Sequence, residues 1–163
     1  YDAEQSTFAF FLAVRILWRF DNDLTDFYGN FPGVAMSNPV YKPNGINGYG
    51  SCLYLDASQY QSVTIYEPPF LNMAYTSFSL VAWVKPNTLR TDGEPNCDNA
   101  IFGQFEQNTD DRSLHIIVRQ QRIYLGFYND DIRGNEMLYP NNWYHVSNYG
   151  FFKSKSYILY FNV

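Results

Sequence analysis

Short hydrophobic segments separated by polar stretches recur along this chain, and none has the period of an amphipathic helix, which indicates β-strands rather than helices. The clearest segment is residues 77–86 (SFSLVAWVKP), where Phe78 and Val84 fall on one face and Val81 and Trp83 on the other. Because both faces are apolar, the pattern predicts a strand at the centre of a sheet, buried on both sides. The segment ends at its proline, which cannot donate a hydrogen bond to a sheet ladder.

Eight further segments read as strands, so that about nine are predicted in all, separated by loops rich in Gly, Pro, Asn and Asp. Two of them form a predicted hairpin around Gln120 and Gln121. Residues 38–50 and 129–142 are predicted to be loops. Many short strands joined by turns predict an all-β sandwich or barrel. The eight segments are residues 16–21, 52–56, 61–66, 100–105, 113–119, 122–128, 143–149 and 157–161.

Composition agrees with one folded domain. The chain has 163 residues, of which 46% are apolar and 20% aromatic, enough for a sizeable core. Its net charge is −5, and its eleven Lys and Arg residues are scattered rather than clustered. Since binding to phosphates needs clustered basic residues, nucleic acid is not an expected partner.

The beginning of the chain has a different character. Residues 8–14 (FAFFLAV) are apolar, but the preceding segment is acidic, unlike the basic start of a signal peptide. The apolar run is also far shorter than the ~20 residues that a spanning helix needs. We therefore expect residues 1–15 to be a linker or the remnant of an upstream segment, residues 16–163 to be the domain, and no membrane insertion by this domain.

The two cysteines, Cys52 and Cys97, form no C-x-x-C pair, so a zinc site or a thioredoxin-type motif is not predicted. A disulfide between them is one interpretation, if the domain is secreted. Two unpaired thiols are the other.

Four features in this order resemble one family. Trp18 and Phe20 precede an Asp, and Leu-Tyr-Leu-Asp at residues 53–56 precedes a short strand at residues 63–65. Residues 78–86 and the sequence Trp-Tyr-His-Val at residues 143–146, before a terminal Leu-Tyr strand, complete the set. Together they resemble the laminin G-like, concanavalin A-like jelly-roll domains from about residue 16 to the end. The resemblance implies an antiparallel β-sandwich jelly roll, found in extracellular modules that bind sugars, proteins or surfaces, sometimes through calcium.

The sequence departs from this family at its end. In such domains the terminal Leu-Tyr strand leads into a tight turn and one or more returning strands, whereas here the sequence stops at Val163. We therefore expect a jelly roll that is either truncated or divergent at the C-terminal end, with an unpaired edge strand that is a template for association.

No catalytic constellation is evident. His145 lies within the Trp-Tyr-His-Val element, where the resemblance implies a structural imidazole bonded inside the sheet. His115 lies in the middle of a predicted strand and is interpreted as a face residue. Glycoside hydrolases on this fold need two carboxylates that flank one glycosidic bond. The predicted strands carry almost none, and Glu106 stands alone, so we do not predict an enzyme.

Two acidic groups in predicted loops are weak candidates for a calcium site, because calcium takes oxygen ligands that commonly come from loops. The alternative is that these loops are simply solvated. Exposed aromatics could also stack on sugar rings, and Tyr49, Tyr60 and Tyr139 are candidates. The acidic groups are Asp92, Glu94 and Asp98 in the first loop and Asp130 and Asp131 in the second.

The expected function is a non-catalytic recognition module, extracellular or at the cell surface, that binds a glycan or an extracellular protein through its loops as part of a larger protein. Two alternatives stay open. One is a carbohydrate-active enzyme, a glycoside hydrolase, on the same fold. The other is a structural spacer domain. Because a fold hosts many functions, the choice among them rests on analogy.

Overall fold

The structure is a computed structural model that describes residues 15–66, 77–90, 98–104, 113–151 and 156–162. These residues form β-strands with only two short 3₁₀ turns, so the all-β prediction is confirmed. Contacts divide the chain into two compact units, Tyr1–Leu71 and Asn72–Val163, which are considered separately below. No helix within the described ranges is both long and apolar enough to cross a membrane. Residues 1–14 and their predicted linker role lie outside the described residues.

The described part of the first unit contains two small antiparallel sheets, each of two strands. Strand β1 pairs with β4, and β2 pairs with β3. The predicted strands at residues 52–56 and 61–66 appear in shorter form as β3 and β4, but they pair with β2 and β1 rather than with each other. The strands are β1 (Val34–Met36), β2 (Val40–Pro43), β3 (Ser51–Tyr54) and β4 (Ser62–Thr64).

Strand β2 lies within residues 38–50, where only loops were predicted, so that prediction is wrong in part. Pro43 is the last residue of β2, opposite Ser51, and within the described residues β2 has a partner on one side only. A proline is tolerated at such a position, because its missing N–H then leaves no gap in the middle of a ladder.

The predicted strand at residues 16–21 is not formed in the described structure, where Trp18 makes only an isolated bridge to Asp26. The carboxylate of Asp26 organises this segment instead. It is 4% exposed and accepts hydrogen bonds from the backbone N–H groups of Leu17 (2.8 Å) and Asn30 (3.1 Å). Burial by itself raises the pKa of Asp26, but its backbone hydrogen bonds outweigh burial and lower the pKa. A loop wrapped around a carboxylate therefore takes the place of the strand.

Two antiparallel sheets are present among the described residues of the second unit. One has four strands in the order β6-β7-β8-β9, and the other has three in the order β11-β10-β5. The predicted strands at residues 100–105, 143–149 and 157–161 are confirmed as β6, β10 and β11. The strands are β5 (Phe78–Val84), β6 (Asn99–Gln104), β7 (Leu114–Arg119), β8 (Arg122–Phe127), β9 (Asp130–Arg133), β10 (Tyr144–Phe151) and β11 (Ser156–Asn162).

The two sheets of this unit share one apolar core, so its character is sandwich-like. Strands β7 and β8 contribute most of the buried residues, and β10 contributes Tyr144 and Val146. Phe78, Leu80 and Val84 of β5 pack against this cluster. The largest fully buried side chains among the described residues are Ile116, Ile123, Leu125, Leu138 and Val146.

Strand β5 was predicted to be central and buried on both faces, and this prediction is wrong for the described structure. Among the described strands, β5 pairs with β10 alone. Val81 is 54% exposed and Trp83 is 48% exposed. Both lie on the face opposite to the one that Leu80 and Val84 bury, since side chains alternate along a strand.

The predicted hairpin of β7 and β8 is confirmed, with Gln120 and Gln121 between the strands. Both glutamines have positive φ, 49° and 60°, as the favoured two-residue hairpin turn requires. The following segment, residues 129–142, was predicted to be loop throughout. It instead begins with β9, which carries Asp130 and Asp131 on a strand.

Candidate functional site

A row of residues crosses the face of the four-stranded sheet that points away from the core. The strand register places His115 of β7 opposite Gly126 of β8, and Gly126 opposite Asp131 of β9. A Cβ atom at Gly126 would lie 2.6 Å from the Cβ of Asp131, far closer than real contacts. Glycine therefore leaves the space through which His115 reaches Asp131 across β8.

Arg119 links two carboxylates beside this row. Its Nε and Nη2 donate to Asp98 at 2.7 and 2.9 Å, and its Nη1 donates to Asp131 at 3.3 Å. The hydrogen bonds that Arg119 donates to Asp98, together with the charges of Asp98 and Asp131, raise the pKa of Arg119 above its usual value. Its guanidinium also lies 5.1 Å from the ring centre of Tyr124. We call Asp98, His115, Arg119 and Asp131 the outer-face network.

His115 is the fourth member of the outer-face network and lies in the same row of the sheet as Asp131. Its Nδ1 lies 3.1 Å from the backbone oxygen of Ser113. Its Nε2 lies 3.5 Å from Oδ2 of Asp131. Nε2 is shielded from solvent and makes no hydrogen bond among the described residues. The interpretation of His115 as a plain face residue therefore missed its carboxylate neighbour.

The predicted calcium ligands are distributed differently from the two groups seen in the sequence. Asp98 and Asp131, one from each group, both bind Arg119, while Asp92 and Glu94 lie outside the described residues. Asp130 starts β9. Among residues 15–66, 77–90, 98–104, 113–151 and 156–162, no three His, Cys, Asp or Glu side chains form a group that could hold a metal. Calcium binding stays a prediction.

Arg119 is the residue that the sequence analysis missed. Alternation along β7 puts Arg119 on the same face as His115, four residues earlier, and this signal was readable. Its two acidic partners were not readable, because Asp98 precedes β6 and Asp131 lies on β9, and the sequence leaves the pairing of these strands open. The predicted pairing of Cys52 with Cys97 also stays a prediction, since Cys52 is half-buried on β3 and Cys97 lies outside the described residues.

His145 faces away from the core on β10, opposite Trp83 of β5. The two ring centres are 4.8 Å apart, and the imidazole Nδ1 lies 3.4 Å from Oγ of Ser147. These contacts fit the structural role expected for His145, although the imidazole packs on the outer face of the sheet.

A second candidate region is a tight turn of the first unit, residues 56–61, which we call the Tyr60 turn. Asp56 caps it by accepting from the N–H and the hydroxyl of Ser58 at 2.9 and 2.7 Å. These hydrogen bonds lower the pKa of Asp56. The amide of Gln61 donates to the backbone oxygens of Ser37 and Asn38, both at 3.1 Å. Hydrogen bonds of Asp56 at the start of the turn and of Gln61 at its end therefore hold the turn in place.

Tyr60 stands at the tip of this fixed turn. Its backbone is left-handed, with φ 54° and ψ 37°, a conformation in which glycine or asparagine is the usual residue. Its side chain is 87% exposed, so packing against the protein does not explain the choice of tyrosine. The other two candidate tyrosines are exposed as well, Tyr49 at 81% and Tyr139 at 55%. A large exposed ring on strained backbone is a reason to suspect a function.

Comparisons of the chain with protein-family models, with curated proteins and with solved structures found no match.

Proposed function

We propose that the chain is a non-catalytic recognition module of a larger secreted or cell-surface protein, with a laminin G-like jelly-roll fold, and that it binds a glycan or an extracellular protein. Tyr60 is the observation that carries this proposal. Its ring is 87% exposed at the tip of a turn whose backbone is held by Asp56 and Gln61. A backbone that is already held in place can present its side chain to a partner without first losing backbone freedom.

The backbone conformation of Tyr60 and the binding properties of tyrosine side chains support this proposal. A left-handed tyrosine costs about 1 kcal/mol relative to a residue suited to that conformation. Tyrosine is also among the residues that most often dominate binding energies, because it supplies a large rigid surface together with a hydroxyl group. A tyrosine that is exposed and has an unfavourable backbone conformation contributes little to stability, so we infer that its contribution is to binding.

The test is binding of the full chain to arrays of glycans and of extracellular proteins, with and without calcium. Tyr60→Asn removes the ring but suits the left-handed backbone, so it separates binding from folding. We expect Tyr60→Asn to weaken binding at least about tenfold, the effect of losing about 1.4 kcal/mol. Tyr60→Phe, which keeps the ring, and Tyr66→Ala, which removes an exposed tyrosine outside the turn, are the matched controls.

Two results would contradict the proposal. Unchanged binding by Tyr60→Asn would remove Tyr60 from the binding surface. A wild-type chain that binds nothing on either array would favour the structural spacer. Binding that disappears in chelator would support a calcium-dependent module and would direct attention to the acidic loops.

A further inference from the structure

The imidazole of His115 lies between two hydrogen-bond acceptors. The backbone oxygen of Ser113 is 3.1 Å from Nδ1, and Oδ2 of Asp131 is 3.5 Å from Nε2. A carbonyl oxygen can only accept, so the bond to Ser113 places a hydrogen on Nδ1. A neutral imidazole has no second hydrogen, and its Nε2 then presents a lone pair to the carboxylate of Asp131.

This arrangement leaves the neutral imidazole without a partner at Nε2. The atom is shielded from solvent and forms no hydrogen bond among the described residues. A second proton would change the chemistry at this one atom, since a protonated imidazole donates from both nitrogens. Nε2–H would then point at an acceptor that the fold already holds in front of it.

The carboxylate of Asp131 lies within reach of both His115 and Arg119, so protonation of His115 also affects Arg119. Its Oδ2 also accepts from Nη1 of Arg119 at 3.3 Å. Arg119 also donates two shorter hydrogen bonds to Asp98, at 2.7 and 2.9 Å. Arg119 can therefore give up Asp131 and keep its position.

We propose that His115, Asp131 and Arg119 form a proton-operated latch between β7 and β9, in which protonation of His115 transfers the carboxylate of Asp131 from Arg119 to the imidazole. The proton comes from solvent and adds to Nε2, and no bond between heavy atoms forms or breaks. Asp131 moves its hydrogen bond from the end of β7, at Arg119, to the beginning of the strand, at His115.

Protonation of His115 changes the net charge of the latch. With a neutral imidazole, Asp98, Asp131 and Arg119 sum to one negative charge, which a protonated His115 neutralises. The residues directly opposite His115, Gly103 on β6 and Gly126 on β8, have no side chains. Among the described residues of this face, the other charged ones are Arg122 and Arg133, which stand in neighbouring rows, opposite Arg119 and Tyr124.

The test is a titration of the full chain, labelled with ¹⁵N, from pH 8 to pH 5, followed by NMR of the imidazole and guanidinium nitrogens. We expect Nδ1 of His115 to carry a hydrogen throughout and Nε2 to gain one. The guanidinium signals of Arg119 should shift with the same midpoint. His145, which contacts no carboxylate among the described residues, serves as the reference histidine.

Two variants make the coupling specific. In Asp131→Asn a neutral amide replaces the carboxylate that attracts both His115 and Arg119, so the guanidinium signals of Arg119 should no longer follow the titration of His115. His115→Gln should likewise leave the Arg119 signals independent of pH, and it serves if Asp131→Asn does not fold. Guanidinium signals that stay constant while wild-type His115 titrates would overturn the latch. A neutral His115 that carries its hydrogen on Nε2 would overturn it as well.

Discussion

Replacing Gly126 by alanine tests the packing that brings β8 and β9 together. A Cβ at this position would collide with the backbone oxygen of Asp130 and the Cα of Asp131, and it would lie 2.6 Å from the Cβ of Asp131. These atoms belong to the backbone of β9 or are fixed to it, so no side-chain rotation relieves the contact. Strand β9 must move away from β8.

The cost follows from this movement. Overpacking of a well-packed site costs about 1–3 kcal/mol, and here the backbone of a paired strand has to shift. We expect Gly126→Ala to lower the free energy of unfolding by about 3 kcal/mol, the upper end of that range. For a chain of this length, this corresponds to a fall in the melting temperature of roughly 6–12 °C. Asp131 should also lose its contacts to His115 and Arg119.

Gly103→Ala is the matched control. Gly103 stands in the same row of the sheet, on the other side of His115. A Cβ there would meet only the backbone oxygen of Leu114, at 3.6 Å, an ordinary contact. Alanine also restricts the unfolded chain more than glycine does, so we expect a gain of up to about 1 kcal/mol.

The assay is urea denaturation of the full chain, followed through the amide signals of Ile116 and Leu125, which report on the core of the second unit. The difference between the two variants, about 3 kcal/mol or slightly more, isolates the steric effect from the general effect of adding a methyl group. Equal denaturation midpoints for Gly103→Ala and Gly126→Ala would refute the packing of β8 against β9 described here.

Further predictions concern the core and the buried carboxylate. Leu125 is completely buried, so Leu125→Ala should lower the unfolding free energy by about 3 kcal/mol in the same denaturation assay, and a loss below 1 kcal/mol would argue against this core. Asp26→Asn should destabilise the first unit by about 2 kcal/mol, because the carboxylate accepts several backbone N–H groups. The lowered pKa of Asp26 means that its stabilisation is complete above about pH 4 and is lost as the pH falls through the folded-state value. The indole N–H signal of Trp18, which bonds the backbone oxygen of Phe31 at 2.7 Å, should report an acid transition in the wild type that is weaker in Asp26→Asn.

Strands with strong apolar patterns could be predicted from the sequence. The β7–β8 hairpin was found because both strands bury alternate residues and the polar pair Gln120–Gln121 interrupts them. Strand β9 was missed because its sequence, DDIR, offers a single apolar residue, Ile132, to the core. Its strand conformation comes from pairing with β8 rather than from its own preference, and pairing is a tertiary effect.

The error at β5 has a similar origin. Val81 and Trp83 are as hydrophobic as the residues that β5 buries, so composition indicated burial on both faces. Which face of a strand is buried depends on the elements that pack against it, and the residues of the strand alone do not show this. The outer-face network illustrates the same limit. Asp98 and Asp131 were recognised as acidic residues, but only the sheet order brings both to Arg119.

The strand orders of the second unit differ in how far apart their partners lie along the chain. In the sheet β6-β7-β8-β9 each strand pairs with its neighbour in sequence, whereas β5 pairs with β10, from Val84 to Tyr144. Closing a long loop costs more entropy than closing a short one, and non-local pairing slows folding. The four-stranded sheet β6-β7-β8-β9 is therefore the part that can form first. Strand β5 stays unpaired until β10 has formed. During that interval its exposed edge can join another chain, and Lys85 and Pro86 directly after it are residues of the kind that discourage such pairing.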